Sequence, residues 1–146
     1  MIPPAALSAG RVVLGAVFVW ASATKVPDMA AFAESVANYR MLPGSLVPLV
    51  AAGVVGVELV AGLALVANRW TRAAAWVLAA LLAVFTAGVT SVLVRGIDVA
   101  CGCFGGSAPA TWWTVARDVA WLALALVVAL RGPGRLSPAR PPVPAG

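Results

Sequence analysis

Residues 71–94, TRAAAWVLAALLAVFTAGVTSVLV, form an almost wholly apolar run that carries one charged residue, Arg72. A helix that spans a membrane needs about 20 such residues, at about 1.5 Å per residue. Three further runs of similar length and composition lie at about 7–26, 46–67 and 111–130. Backbone groups in lipid must be hydrogen-bonded within their own segment, so all four runs are predicted to be α-helices. The sequence therefore predicts an all-α fold, an integral membrane four-helix bundle.

The composition of the chain excludes the usual soluble classes. Of its 146 residues 62% are hydrophobic and 10% are charged, and the mean hydropathy is +1.00. Soluble domains are about half apolar and a quarter charged, so the lipid bilayer is the expected surroundings. The net charge of +5 lacks the basic stripe with interleaved aromatics that nucleic-acid binding needs, so no nucleic-acid partner is expected. One domain, 1–131, is predicted, followed by a proline-rich tail, 132–146, expected to be disordered and cytoplasmic.

A short polar interruption separates the first two spans. Asp28 is placed to cap a helix whose apolar side chains recur at helical spacing through Met29, Phe32, Val36 and Tyr39. This pattern predicts a short amphipathic helix lying in the membrane interface between the first and second spans.

The distribution of basic residues predicts the orientation of the bundle. One side carries six arginines: Arg11, Arg69, Arg72, Arg131, Arg135 and Arg140. The other side carries Lys25, Arg40 and Arg95. Because cytoplasmic loops are enriched in Lys and Arg, both termini are predicted to be cytoplasmic and the third inter-helix loop extracytoplasmic.

That third loop holds both cysteines of the chain, in the sequence Cys101-Gly102-Cys103-Phe104-Gly105-Gly106. Cysteines two residues apart can form a strained disulfide, and strained, exposed disulfides are the labile ones that exchange with other thiols. Thiol–disulfide exchange is therefore the favoured chemistry. A static disulfide, or two inert thiols, is one alternative. Binding of a soft metal is another, but the chain has no histidine and no further cysteine to complete a site, so no metal site is predicted.

Several charged residues lie inside the predicted spans, where an unpaired charge costs several kcal/mol. Glu58 is near the middle of the second span, Arg11 is in the inner half of the first, and Arg117 and Asp118 are about two turns inside the fourth. Counting residues from the span ends puts Arg11 and Glu58 at similar depth, which predicts an Arg11–Glu58 ion pair. Arg117 lies below the cysteine loop, where it could position an anionic or quinone-like electron acceptor. The alternative is that these charges only hold the bundle together.

Taken together, these residues resemble the MauE branch of the DoxX-like membrane proteins. The resemblance extends to about residue 130, and the Cys-x-Cys-Phe-Gly element is its most specific part. The matching residues are Arg11, Leu14-Gly15, Phe18, Lys25, Tyr39, Leu42-Pro43, Glu58, Gly62 and Cys101 to Gly105.

The resemblance implies a multi-pass protein of the bacterial inner membrane that acts beside an extracytoplasmic thioredoxin-like partner. In methylamine utilisation this pair serves the maturation of a disulfide-rich periplasmic enzyme subunit. Cys101 and Cys103 would be the redox pair, Arg11, Lys25 and Glu58 would be family positions without an assigned role, and a membrane quinone is the candidate cofactor. By analogy with quinone-linked enzymes, the chain is a candidate thiol–disulfide oxidoreductase. Two other functions stay open: a non-enzymatic assembly factor with a structural Cys-x-Cys, and a small-solute or soft-metal transporter.

Overall fold

The computed structural model describes residues 2–100 and 108–132. Within that part of the chain the secondary structure consists of helices, turns and one isolated bridge between Ala100 and Pro109. The α-helices are α1 (Pro4–Lys25), α2 (Met29–Asn38), α3 (Val47–Val66), α4 (Thr71–Val94) and α5 (Trp112–Arg131). Short 3-10 turns, Val26–Asp28 and Gly44–Leu46, precede α2 and α3.

The all-α prediction with four spanning helices is confirmed. Helices α1, α3, α4 and α5 are each long and apolar enough to cross a membrane. They lie close to the predicted runs, and α4 coincides with residues 71–94. The predicted disordered tail falls on residues 133–146, outside the described part of the chain.

The four long helices alternate in direction and pack chiefly as two pairs, α1 with α3 and α4 with α5. Contacts of α3 with α4 and of α1 with α5 join the pairs into one bundle. All four helices contribute to a single apolar core of mostly small and branched side chains: Leu14, Phe18, Ala61, Leu65, Ala74, Ala75, Leu78, Ala79, Leu82, Ala125, Val128 and Ala129. Large apolar residues such as Trp20, Val60 and Val84 point outward instead, which suits a bundle whose surroundings are lipid.

Helices α1 and α3 approach each other closely where Gly15 meets Gly62. A methyl carbon added to Gly15 would lie 2.7 Å from the carbonyl oxygen of Gly62, and one added to Gly62 would lie 2.9 Å from that of Gly15. Only glycine allows backbones so near one another. Glycines within a spanning helix often mark close helix packing, but Gly53 and Gly56 do not. An added methyl carbon would meet nothing within 4 Å at either position, because both residues face an open groove between α3 and α4.

The amphipathic helix forms as predicted, and its apolar face turns inward. The backbone leaves helical geometry at Asp28, whose side chain accepts a hydrogen bond of 3.0 Å from the amide of Ala31 and caps α2. Phe32 is buried and packs with Ala51 and Val55 of α3. Helix α2 therefore lies against the N-terminal half of α3, at the end of the bundle away from the start of α1.

Candidate functional site

The predicted redox pair, Cys101 and Cys103, lies in residues 101–107, outside the described residues. The chain on either side of that segment is described. The amide of Ala110 donates to the carbonyl oxygen of Val99 over 2.9 Å, and Ala100 pairs with Pro109 in an antiparallel bridge. Val99 is buried. The seven-residue segment thus begins and ends at neighbouring points at one end of the bundle.

The start of α5, just after this segment, is fixed by a reciprocal cap. The Thr111 amide donates to the Thr114 hydroxyl oxygen over 3.2 Å, and the Thr111 side chain accepts from the Thr114 backbone. Such a capping box satisfies two amide donors that the first turn of a helix leaves without partners. The end of α5 that carries the cysteine segment is therefore well defined.

Beneath α2, a buried ion pair joins α1 to α3. Lys25 Nζ lies 2.7 Å from Glu58 Oε2, and the two residues are 1% and 2% exposed. The ammonium group also lies 5.2 Å from the centre of the Phe32 ring, within cation–π range. Phe32 of α2 thus lies beside the ion pair, at the end of the bundle where α1 ends and α3 begins.

The predicted Arg11–Glu58 pair is wrong, because Glu58 pairs with Lys25. The side chains on a helix lean toward its N-terminus. Helices α1 and α3 run in opposite directions, so Lys25 and Glu58 lean toward each other, whereas Arg11 and Glu58 lean apart. Counting residues from the ends of the spans also gave the wrong depth of Arg11 relative to Glu58. Arg11 lies beside Leu65, seven residues from Glu58 and about 10 Å along the helix axis.

Arg11 instead caps the C-terminus of α3. Its guanidinium, in a residue that is 4% exposed, donates to the carbonyl oxygens of Leu65 and Val66, the second contact measuring 3.3 Å. These carbonyls belong to the last turn of α3, where intrahelical donors run out and the helix dipole is negative. Arg72 has the same role at the end of α5, where its Nε donates to the Ala129 carbonyl oxygen over 3.1 Å.

Arg117 and Asp118 pair with each other in the N-terminal half of α5. Arg117 Nη2 and Nε lie 3.0 and 3.2 Å from Asp118 Oδ1, with the Arg117 side chain 31% exposed. Asp118 itself is 3% exposed. Its second oxygen, Oδ2, is buried and has no hydrogen-bond partner among the described residues.

Asp118 and Glu58, on different helices, line the same small cavity. Its volume is about 20 Å³, and its other walls are apolar, including Phe18 of α1 and Leu82 and Phe85 of α4. A second, larger space of about 270 Å³ lies under α2. Most of the side chains that line it are apolar, and the exceptions are Ser35 and Tyr39. That groove has the size and apolar character to take part of a membrane-soluble molecule.

The fold brings some of the predicted site residues together and keeps others apart. Lys25 contacts Glu58, and Glu58 and Asp118 line one cavity, whereas Arg11 lies at the C-terminal end of α3. No group of three metal-binding side chains occurs within residues 2–100 and 108–132. Sequence analysis missed Ser22, whose hydroxyl donates to the Phe18 and Val55 carbonyl oxygens over 3.0 and 3.3 Å. A small polar residue within an apolar span was the available signal.

Comparisons with known proteins extend over nearly all the described residues. A family model described as methylamine utilisation protein MauE matches residues 3–131, a range that includes every predicted site residue. A curated relative, methylamine utilization protein MauE of Paracoccus denitrificans, is 36% identical over 132 residues, which cover 88% of this chain and 71% of the relative. No solved structure matches the chain.

Proposed function

The chain belongs to the MauE family, and from that premise we propose that it is a membrane-embedded thiol–disulfide redox component. Cys101 and Cys103 are the exchanging pair in this proposal, and the partner is an extracytoplasmic thioredoxin-like protein. The Paracoccus relative is named for methylamine utilisation. By extension, we propose that this chain serves the maturation of a disulfide-rich secreted protein in that process.

One observation supports the proposal: the two cysteines stand two residues apart in a sequence segment whose flanking residues pair with each other. The Val99–Ala110 hydrogen bond and the Ala100–Pro109 bridge hold the flanks. The capped start of α5 fixes the exit from the segment. The described residues on either side of the cysteine segment therefore lie together at one end of the bundle.

In the proposed reaction the number of disulfide bonds and the number of electrons stay constant. A thiolate of one protein attacks a sulfur of the other protein's disulfide, which forms a mixed disulfide and releases a thiolate. The second cysteine of the attacking protein then attacks the mixed disulfide. One disulfide and one dithiol enter the reaction and one of each leaves, so two electrons and two protons pass between the proteins in either direction.

The exchange has to take place outside the cytoplasm, where disulfides persist. Arg11, Arg69, Arg72 and Arg131 lie at the end of the bundle opposite the cysteine segment. The positive-inside rule then supports cytoplasmic termini and an extracytoplasmic segment 101–107. An inner-membrane location follows from the same proposal.

We propose a membrane quinone as the acceptor class that returns the pair to its disulfide form. When bound, a quinone can accept the two electrons and two protons that a dithiol gives up. The groove beneath α2 fits the apolar parts of such a molecule. Arg117, on the outer end of α5, remains the predicted contact for its polar ring.

The test is to trap the mixed disulfide. Changing either Cys101 or Cys103 to Ser removes the thiol that resolves the intermediate. We expect one of the two variants to accumulate a reducible adduct with an extracytoplasmic thioredoxin-like protein, detected by gel electrophoresis without reductant and by mass spectrometry.

The double variant Cys101→Ser/Cys103→Ser is the matched control and should form no adduct. If neither single variant forms an adduct and both keep full activity, the redox proposal is wrong. An adduct formed only with a cytoplasmic thioredoxin would overturn the proposed orientation.

A further inference from the structure

The cavity between Glu58 and Asp118 contains an unexplained polar atom. Asp118 Oδ1 takes both hydrogen bonds from Arg117, while Oδ2 is buried with no partner among the described residues. A buried polar atom without a hydrogen bond costs about 1–3 kcal/mol, and more when it is charged. A ligand that hydrogen-bonds to Oδ2 would remove this cost.

The size of the cavity limits what that ligand can be. A single water molecule needs at least about 10–15 Å³ of this kind of volume, and the cavity has about 20 Å³. A metal cation such as Mg²⁺ or Ca²⁺ needs about six or more oxygen ligands. The cavity walls supply two carboxyl groups, and the remaining side chains are apolar apart from the indole N–H of Trp121, which is a donor and cannot ligate a cation.

Each of the two carboxyl groups at the cavity contacts a cation through one of its oxygens. Glu58 is already held by Lys25 of α1 through Oε2, and Asp118 by the partly exposed Arg117 through Oδ1. Helix α4 presents only the apolar Leu82 and Phe85 to the cavity. Two carboxyl groups thus face one water-sized space, with no cation of α4 to separate them.

We propose that this cavity binds one water molecule between Asp118 and Glu58, and that the two carboxyl groups take up and release a proton through that water. The water donates a hydrogen bond to Asp118 Oδ2. In the transfer from Glu58 to Asp118, the Glu58 carboxyl gives its proton to the water oxygen while the water gives one of its own protons to Asp118 Oδ2. One O–H bond of the water breaks and one forms, so the water molecule is regenerated, and the reverse transfer follows the same path. The site uses neither Cys101 nor Cys103, so the proposal for this cavity can be tested independently of the proposed redox function.

The test is difference infrared spectroscopy of the purified protein in lipid, with the pH stepped across the acidic and neutral range. The measurement uses the Cys101→Ser/Cys103→Ser background, which separates it from thiol chemistry. We expect a carboxylic-acid C=O band that changes with pH, and an O–H band of internal water that shifts in ¹⁸O-labelled water. Asp118→Asn should remove both bands, and Asp28→Asn, which changes an exposed capping carboxylate, should leave both unchanged.

A second variant covers the case in which Asp118→Asn does not fold. Ala21 lines the cavity, and Ala21→Val fills part of it while keeping both carboxyl groups. We expect this variant to lose the water band. If the starting protein has no isotope-sensitive water band, or if the two bands persist in Asp118→Asn or the water band in Ala21→Val, the proposed site does not exist.

Discussion

The two pairs of helices in this bundle are held together by different means. Between α1 and α3, backbones meet at Gly15 and Gly62, and polar contacts cross the interface at both ends through Arg11 and Lys25. Between α4 and α5, the packing surfaces consist mainly of alanine, leucine and valine. A polar contact between these two helices joins Arg72 to the end of α5.

The difference shows how register is specified where lipid replaces water. Lipid tails are as apolar as leucine, so burying leucine between helices provides little driving force. Close packing and interhelical hydrogen bonds must specify the arrangement instead. The α1–α3 pair, which has α2 inserted between its members in sequence, uses both. The α4–α5 pair, which lies adjacent in sequence, relies mostly on close packing of small side chains.

The largest effect is expected from breaking the buried ion pair of α1 and α3. Glu58→Ala leaves the Lys25 ammonium buried without its carboxylate, and breaking such a pair costs about 3–5 kcal/mol. We expect that loss in the free energy of unfolding, measured by titration with a denaturing detergent in mixed micelles.

The rescue experiment distinguishes the two possible partners of Glu58. Lys25→Leu added to Glu58→Ala should restore most of the lost stability, since replacing both members of a buried pair is often nearly neutral. Arg11→Leu added to Glu58→Ala should give no rescue. The opposite result would mean that the observed pairing of Lys25 with Glu58 is incorrect.

A smaller effect is expected from separating the backbones of α1 and α3. Gly15→Ala places a methyl group against the Gly62 carbonyl oxygen, and overpacking of this kind costs about 1–3 kcal/mol. Gly56→Ala is the control, because an added methyl group there meets nothing within 4 Å. Thermal unfolding should show a lowered midpoint for Gly15→Ala only. Equal effects of the two changes would contradict the close contact.

The smallest effect is expected at the α4–α5 interface. Arg72→Met removes the hydrogen bond to the Ala129 carbonyl oxygen and the favourable charge at the end of α5, worth about 0.3–1 kcal/mol. Arg69→Met, in the exposed turn between α3 and α4, should change stability less. Both variants are compared in the same detergent titration. A loss at Arg72 as large as that of Glu58→Ala would show that the α4–α5 pair also depends on a polar contact.

Much of the fold could be predicted from local pattern. The run from Thr71 to Val94 is long enough and apolar enough that only a helix satisfies its backbone in lipid. Asp28 followed by Met29, Phe32 and Val36 predicted the capped amphipathic helix, because capping and helical spacing involve only near neighbours. The candidate site was predicted in part. Arg11, Glu58 and Asp118 stood out as charges within apolar runs, which is a property of sequence alone. Lys25, at the end of the first predicted span, was singled out only through the family resemblance.

By itself, then, the sequence determined which segments are helices, that Arg11, Glu58 and Asp118 place charge within apolar runs, and that the two cysteines share one short segment. Only the tertiary structure decided that Glu58 pairs with Lys25, that Arg11 caps α3, and that Asp118 shares a cavity with Glu58. The physical reason is that these contacts depend on the register and direction of helices distant in sequence. A shift of two turns, or the lean of a side chain toward its helix N-terminus, changes the partner without changing the hydrophobic pattern.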